Sequence, residues 1–284
     1  MYIELQRGRD VRASEVRQRL KESGIENYFF ETEILIRELC GSFSEEEDYC
    51  SETLSSAVEK RCARYPLQYI IGKWWLANCE FFVDESTLVP RPDTETVIEL
   101  AVKNLPRDAR FADLCTGSGC IAISILDLRP DTCASAFELY PKTLEMAVKN
   151  AAHNNVAERF APVLGDVLLE NALGEDKYSA IISNPPYIKT EVIDTLEKEA
   201  RTEPRSALDG GEDGLIFYRA IVKNFAKNLD DGGFFLFEIG FDQADDLRRI
   251  AADNGFACEI YKDLGGCDRV AMLRKNAYFN APQN

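Results

Sequence analysis

Apolar residues recur at helical spacing through the first part of the chain: Val11, Val16 and Leu20 within Val11–Ser23, then Phe30, Ile34, Leu35 and Leu39 within Asn27–Cys40. Gly24 and Gly41 follow these stretches and suit helix C-terminal caps. Ser44 and Glu47 have the spacing of a capping box for a short acidic helix, and Ser51–Arg64 continues the helical pattern until Pro66 stops it. A small helical bundle is predicted. From Lys73 the texture changes, and Trp74-Trp75-Leu76 and Phe81-Phe82-Val83 flank Ala77-Asn78-Cys79-Glu80 like the arms of a β-hairpin. Beyond it come strand Phe111–Cys115, helix Cys120–Leu128, strand Ala134–Glu138, helix Leu144–Asn154, and strands Phe160–Leu164 and Tyr178–Ser183. A helix over Leu215–Leu229, a strand over Phe234–Ile239, a helix over Gln243–Asn254 and strands near Cys258–Lys262 and Arg269–Leu273 complete the pattern. This alternation predicts an α/β domain with a largely parallel sheet.

The chain's 284 residues make one large or two modest domains at ~150 residues each. Apolar residues at 45% and charged ones at 29% are ordinary for a folded globular protein. No apolar stretch approaches the ~18–20 residues that span a membrane, so no membrane association is expected. The first ten residues, MYIELQRGRD, lack the apolar core of a secretory leader, and a cytoplasmic location is the expectation. Nine cysteines, odd in number and without a Cys-x-x-Cys pair, fit reduced thiols better than disulfides or zinc. The 33 basic and 49 acidic residues give a net charge of −16, which repels duplex DNA, and no basic run offsets it. No direct nucleic-acid partner is expected. A single histidine, His153, lies in a helical pattern and is assigned to the surface; by counting, it supports no multi-histidine metal site, so no metal is expected. The acidic run Glu45-Glu46-Glu47-Asp48 reads as a solvated helix face or as a docking surface for a basic partner.

Two constellations carry chemistry. Asp113-Leu114-Cys115-Thr116-Gly117-Ser118-Gly119 lies between a strand and a helix, where glycines admit a ligand close to the backbone and the helix N-terminus offers free amide donors. About twenty residues on, Glu138 ends the next strand, where a carboxylate can accept from both ribose hydroxyls of a nucleoside. Read singly, the loop is also compatible with a tight turn that binds nothing, and Glu138 with a solvated strand end. The loop lacks the P-loop pattern, which disfavours nucleoside triphosphate hydrolysis.

The second constellation is Ile181-Ile182-Ser183-Asn184-Pro185-Pro186-Tyr187, an apolar strand that stops at an Asn-Pro-Pro-Tyr loop. Two prolines stiffen the loop and remove two amide donors, leaving carbonyl acceptors beside the Asn184 side-chain oxygen. A planar amide or aromatic amine has a poorly nucleophilic nitrogen bearing two hydrogens. Accepting both hydrogens aims its lone pair at an electrophile, and the Tyr187 ring can pack against the flat group. A plain proline-rich turn would explain neither Asn184 nor Tyr187.

These residues together resemble a class I S-adenosylmethionine-dependent methyltransferase acting on an exocyclic or amide nitrogen. Three further blocks, Pro66–Gly72, Leu88–Glu95 and Glu203–Leu215, narrow the resemblance to the HemK family, the peptide chain release factor glutamine methyltransferases. It runs from about Pro66 to Leu273, while the helical segment before it matches in kind the family's amino-terminal, substrate-docking bundle. The resemblance implies a Rossmann-like, mostly parallel seven-stranded sheet, with a helical domain over 1–72, a hairpin linker over 73–84 and a methyltransferase domain over 85–284. It implies S-adenosyl-L-methionine as cofactor, held by Cys115, Thr116, Gly117, Ser118, Gly119 and Glu138, with Asp166 and Val167 against the adenine. The residues Gly165-Asp166 are equally compatible with a turn. Asn184, Pro185, Pro186 and Tyr187 become the substrate site, Asn184 touching both ligands, with Asn184, Pro185 and Tyr187 catalytic. Cys115 stands where the family has a glycine, and must adopt that turn's dihedrals unless the turn is shifted; Glu138 stands where many relatives have aspartate. The Leu88–Glu95 block is either a wall of the pocket or a linker capping the next helix. The implied acceptor is the glutamine of a Gly-Gly-Gln loop in a release factor. A glutamine of a ribosomal protein, or an adenine amino group of DNA, are the alternatives to be tested.

Overall fold

The computed structural model describes residues 11–45, 47–49 and 52–275. Met1–Asp10, on which the absence of a leader was argued, lie outside the described residues, as do Glu46, Cys50 and Ser51. The chain forms two compact units. The first comprises Met1–Lys73 and Glu197–Thr202, the second Trp74–Leu196 and Glu203–Asn284.

In the first unit, β1 (Val11–Arg12) precedes α1 (Ala13–Glu22), followed by α2 (Tyr28–Cys40), β2 (Asp48–Tyr49), α3 (Glu52–Cys62) and α4 (Leu67–Ile71). Val16 and Leu20 of α1 pack in the core with Leu35 and Ile36 of α2 and with Leu54 and Val58 of α3, all fully buried. Phe30, expected on the apolar face, is exposed, and Thr32 is buried in α2 instead. The acidic helix expected after Ser44 is absent from the described residues, and β2 pairs antiparallel with β1, Val11 opposite Tyr49. The buried Tyr49 explains the difference. Its hydroxyl donates to the Ser44 carbonyl at 3.0 Å and accepts from the Ser44 amide at 2.5 Å, so Ser44 is committed to that contact. Glu45 pairs with Arg17 and Asp48 with Arg12, at 2.8 and 2.6 Å, so this part of the acidic run is balanced locally.

From Trp74 the second unit holds all but the first residue of the expected hairpin, β3 (Lys73–Leu76) and β4 (Cys79–Phe82), then α5 (Glu95–Asn104), β5 (Arg110–Leu114), α6 (Cys120–Leu128), β6 (Cys133–Glu138), α7 (Pro141–His153), β7 (Phe160–Leu164) and β8 (Tyr178–Ser183). After α8 (Lys198–Thr202), which clusters with the first unit, come α9 (Ile216–Phe225), β9 (Leu229–Glu238), α10 (Ala244–Asp253), β10 (Phe256–Lys262) and β11 (Asp268–Lys275). The seven-stranded sheet has the order β10-β11-β9-β8-β5-β6-β7. Neighbours from β7 to β9 are parallel, and β11 is antiparallel to both β9 and β10. This is the mostly parallel α/β sheet expected.

Alternation along the strands supplies two cores. Phe111, Ile182, Phe234 and Leu236 pack with α5, α6 and α7 on one face. Leu114, Ile181, Phe235 and Phe237 pack with α9 and α10 on the other. Ile121–Leu126 of α6 are all buried, as an apolar helix held between layers must be. His153 is exposed at the end of α7, its Nε2 3.1 Å from Glu80 Oε1. Among the described residues no helix is long and apolar enough to cross a membrane.

Candidate active site

The sheet changes direction between β5 and β8. The chain proceeds from β5 to β6 and β7 on one side and from β8 to β9 on the other, so the connections diverge and leave a crevice at the carboxyl ends of the two central strands. Leu114 and Ser183 are register partners, and the Ser183 hydroxyl donates to the Leu114 carbonyl at 2.6 Å. The glycine loop and the Asn-Pro-Pro-Tyr loop therefore leave the sheet side by side. A cavity of about 320 Å³ opens there.

One wall is the glycine loop. Cys115 adopts φ 59°, the left-handed turn conformation, so the turn is not shifted to spare the non-glycine residue. A Cβ on Gly117 would meet only the Cys115 carbonyl oxygen, at 4.0 Å, leaving room for a ligand at the backbone. A Cβ on Gly119 would lie 2.7 Å from Ile123 Cδ1 and 3.3 Å from Ala147 Cβ, so this glycine serves the packing of α6 on α7. Glu138 is buried at the end of β6 and ties the wall together: Oε2 accepts from the Gly117 amide at 3.1 Å, and Oε1 from the amides of Leu139 and Tyr140 at 2.9 and 3.1 Å. Burial raises its pKa above the usual glutamate value against the pull of those three donors.

Asp113, fully buried beneath the loop, accepts from Thr116 Oγ1 at 2.6 Å and the Ala122 amide at 3.2 Å through Oδ2. Its Oδ1 has no hydrogen-bond partner among the described residues. Burial, reinforced by the charge of Glu138, pushes its pKa up to about 7. Burial also pushes up the thiols of Cys115 and Cys120, the latter to about 12, so both are protonated at neutral pH. Phe137, Leu139, Tyr140, Gly165, Asp166, Val167 and Leu168 line the cavity next to Glu138. Asp166 sits in the turn that sequence had offered as an alternative, its Oδ1 accepting from the Leu168 amide at 2.9 Å, yet it lines the cavity all the same.

The opposite wall begins at Asn184, which is half-buried and lines the cavity together with Pro186. Pro185 is buried and, like Tyr187, is not among the lining residues. The Tyr187 hydroxyl lies 3.4 Å from Glu238 Oε1, and its carbonyl accepts from Gln243 Nε2 at 3.0 Å. Glu238 is buried at the end of β9, accepts from Thr94 Oγ1 at 2.6 Å, and has its pKa raised by burial. Gly210 lies so close to the loop that an added Cβ would come within 2.7 Å of Tyr187 Cα and 2.8 Å of the Pro186 carbonyl oxygen.

Leu88, Val89, Pro90, Arg91 and Thr94 form a further wall, so the Leu88–Glu95 block faces the pocket. Glu203 holds it: the buried carboxylate accepts from the Val89 amide at 3.1 Å and pairs with Arg91, and Pro204, Ser206, Ala207 and Asp209 continue the wall. Asn150 was not singled out from sequence. Fully buried on α7, it donates to the carbonyls of Phe82 and Ser118 at 3.0 and 2.8 Å and accepts from the Phe82 amide at 2.7 Å, pinning the glycine loop to the hairpin. A lone helical asparagine carries no sequence signal for that role, nor does Glu238, whereas Glu203 opens a block the sequence marked without revealing its partners.

A doubly wound sheet with one antiparallel strand near its edge, a glycine loop after the central strand and an acidic residue ending the next define a class I, Rossmann-like methyltransferase. The methyltransferase small domain profile matches residues 92–213, and the PrmC N-terminal domain profile residues 14–72. Release factor glutamine methyltransferases of Thermodesulfovibrio yellowstonii and Geobacter sulfurreducens are 38% and 36% identical to the chain over 243 and 262 residues. The alignments cover 82% and 88% of this chain and 86% and 91% of those proteins. The chain belongs to the release factor glutamine methyltransferase family. The solved structure of a methyltransferase from Pyrococcus furiosus, 16% identical, matches 71% of this chain and 91% of its own with a TM-score of 0.53, a likeness of fold alone.

Proposed function

We propose that the protein methylates the side-chain amide nitrogen of a glutamine in the Gly-Gly-Gln loop of a peptide chain release factor, with S-adenosyl-L-methionine as donor. The observation that carries this reading is the placement of Asn184 in the same cavity as Cys115–Ser118, at the ends of adjacent parallel strands. A cavity of about 320 Å³ lies within the range of small-molecule sites, and its residues suit an adenosyl amino acid. Glu138 stands ready for ribose hydroxyls, Val167 and Leu168 offer apolar surface beside Asp166 for a flat base, and Gly117 presents bare backbone. The bound cofactor supplies an electrophilic methyl group on a cationic sulfonium.

The protein's contribution is approximation and orientation. The Asn184 side-chain oxygen and the Pro185 carbonyl accept the two amide hydrogens of the glutamine, which turns the nitrogen lone pair toward the cofactor. The double proline and Gly210 hold these acceptors rigid, and Tyr187, tied to Glu238 and Gln243, keeps the loop from rotating. The proton leaves through these acceptors or to water after attack. The first unit serves to hold the body of the release factor, in keeping with its match to the PrmC N-terminal domain profile. Asn184→Ala tests the reading: turnover falls by roughly 10²–10³, the scale for one preorganised polar contact, while cofactor affinity by calorimetry changes much less. A variant with unimpaired turnover would remove Asn184 from the chemistry.

A further inference from the structure

Among the described residues β4 pairs with β3 alone, so the backbone groups on its outer edge need partners from elsewhere in the second unit. Asn150, near the end of α7, and Asn154, which caps it, lie four residues apart on one helix face and supply them. Asn154 accepts from the Glu80 amide at 3.3 Å and donates to the Glu80 carbonyl at 2.8 Å. Asn150 treats Phe82, two residues along the strand, in the same way, accepting from its amide at 2.7 Å and donating to its carbonyl at 3.0 Å. Each side-chain amide thus stands in for a neighbouring strand. The two differ in where the nitrogen's other bond goes. Asn154 donates to the Asn150 carbonyl in its own helix, at 2.9 Å, whereas Asn150 donates to the Ser118 carbonyl in the glycine loop, at 2.8 Å.

The peptide between Ser118 and Gly119 is a place where the loop is free to turn. Gly119, at φ 82°, has no Cβ to oppose rotation, and a peptide plane moves as one unit, so the Ser118 carbonyl and the Gly119 amide turn together. That plane is held at both ends, the amide by the Thr116 carbonyl at 2.8 Å and the carbonyl by Asn150. Thr116, Gly117 and Ser118 all line the cavity. We infer that Asn150 is a positioning residue for the cofactor: seated on the hairpin at Phe82, its side chain fixes the Ser118–Gly119 peptide and with it the face that the glycine loop turns to the cavity. The inference rests on the reading of this cavity as the cofactor site. Asn154, which has the same chemistry and holds the same strand but spends its remaining bond within the helix, is a built-in control.

The test uses the full-length protein and three measurements on each variant: affinity for S-adenosylmethionine by calorimetry, stability in urea, and exchange of the Gly119 amide without ligand. Asn150→Ala and Asn154→Ala both lower the urea midpoint, since each strips partners from the edge of β4. Only Asn150→Ala also weakens cofactor binding, by about tenfold, and speeds Gly119 exchange about tenfold beyond Asn154→Ala, the scale of one buried hydrogen bond. Asn154→Ala binds the cofactor as the wild type does. Equal losses of affinity in the two variants, or wild-type affinity in a folded Asn150→Ala, would overturn the inference, and so would Gly119 exchange that responds to both alike. Should Asn150→Ala not fold, Asn150→Ser, which refills part of the space but is too short to span from Phe82 to Ser118, is compared with Asn154→Ser under the same expectations. Failure of the wild type to bind S-adenosylmethionine, with Gly119 exchange still responding to Asn150 and not to Asn154, would sink the reading of the cavity and leave the anchor of the loop standing.

Discussion

Cys115 holds a conformation that suits glycine. With φ at 59° it carries the strain of a left-handed non-glycine residue, of order 1–2 kcal/mol, partly offset because glycine loses more entropy on folding. Cys115→Gly is accordingly expected to raise the unfolding free energy by up to about 1 kcal/mol in urea titrations, with cofactor binding retained. A less stable variant would show that the thiol's packing outweighs the strain. Asp113 gives a signed pH dependence. Its pKa rises from 3.8 to about 7 on folding, so the native state keeps a proton that the unfolded chain has released. Its stabilising contribution is complete below the unfolded value and is lost as pH rises through that interval. Burial shifts Glu138, Glu203 and Glu238 in the same direction. The unfolding midpoint of the ligand-free protein therefore declines between about pH 5 and about pH 8, and Asp113→Asn makes the decline shallower. An unaltered slope in that variant would assign the titration to other groups.

The loops at the switch point depend on each other's backbone. Gly210 and Gly214 leave no space for a Cβ against Tyr187 and Pro186, so the Glu203–Leu215 block is a brace for the Asn-Pro-Pro-Tyr loop. Gly210→Ala is expected to cost about 1–3 kcal/mol of stability, as overpacking does, and to lower turnover more than cofactor affinity. Full turnover in a folded Gly210→Ala protein would show that the acceptor loop tolerates displacement. The alternating strands and helices could be read directly, because apolar period and turn residues declare them; Phe111, Ile182 and Phe235 all lie in the cores their patterns predict. The segment after Ser44 and the start of β9 could not. The acidic helix after Ser44 yields to a strand because the buried Tyr49 claims Ser44 and pairs with the distant Val11. The strand β9 begins at Leu229, earlier than the apolar run at Phe234, because Asp230-Asp231-Gly232-Gly233 resembles a turn while the parallel neighbour β8 pairs there, Tyr178 opposite Leu229.

Across the molecule, the motif residues that line the cavity were visible in the sequence, whereas most of the bonds that hold them were not. Asn184, Glu138 and Cys115–Ser118 line one cavity, while Gly119, expected with them, is turned to the packing of α6 on α7. Their supports pair residues that are distant in sequence: Val89, Thr94 and Glu203 lie in blocks the sequence marked, but their bonds to one another and to Glu238 could not be read there, and Asn150 carried no local mark at all. Family membership rests on relatives aligned over both units, and the acceptor remains the claim to measure. The most direct test incubates the wild-type protein and labelled S-adenosylmethionine separately with a release factor, the same factor with its Gly-Gly-Gln glutamine changed to alanine, a ribosomal protein, and duplex and single-stranded DNA rich in adenine. Single-stranded DNA is included because base extrusion costs a few kcal/mol and could mask activity on a duplex. Label on the intact release factor alone, placed by mass spectrometry on the loop glutamine, is the expected result. Label that persists on the alanine variant, or that reaches DNA or the ribosomal protein at a comparable rate, would contradict it.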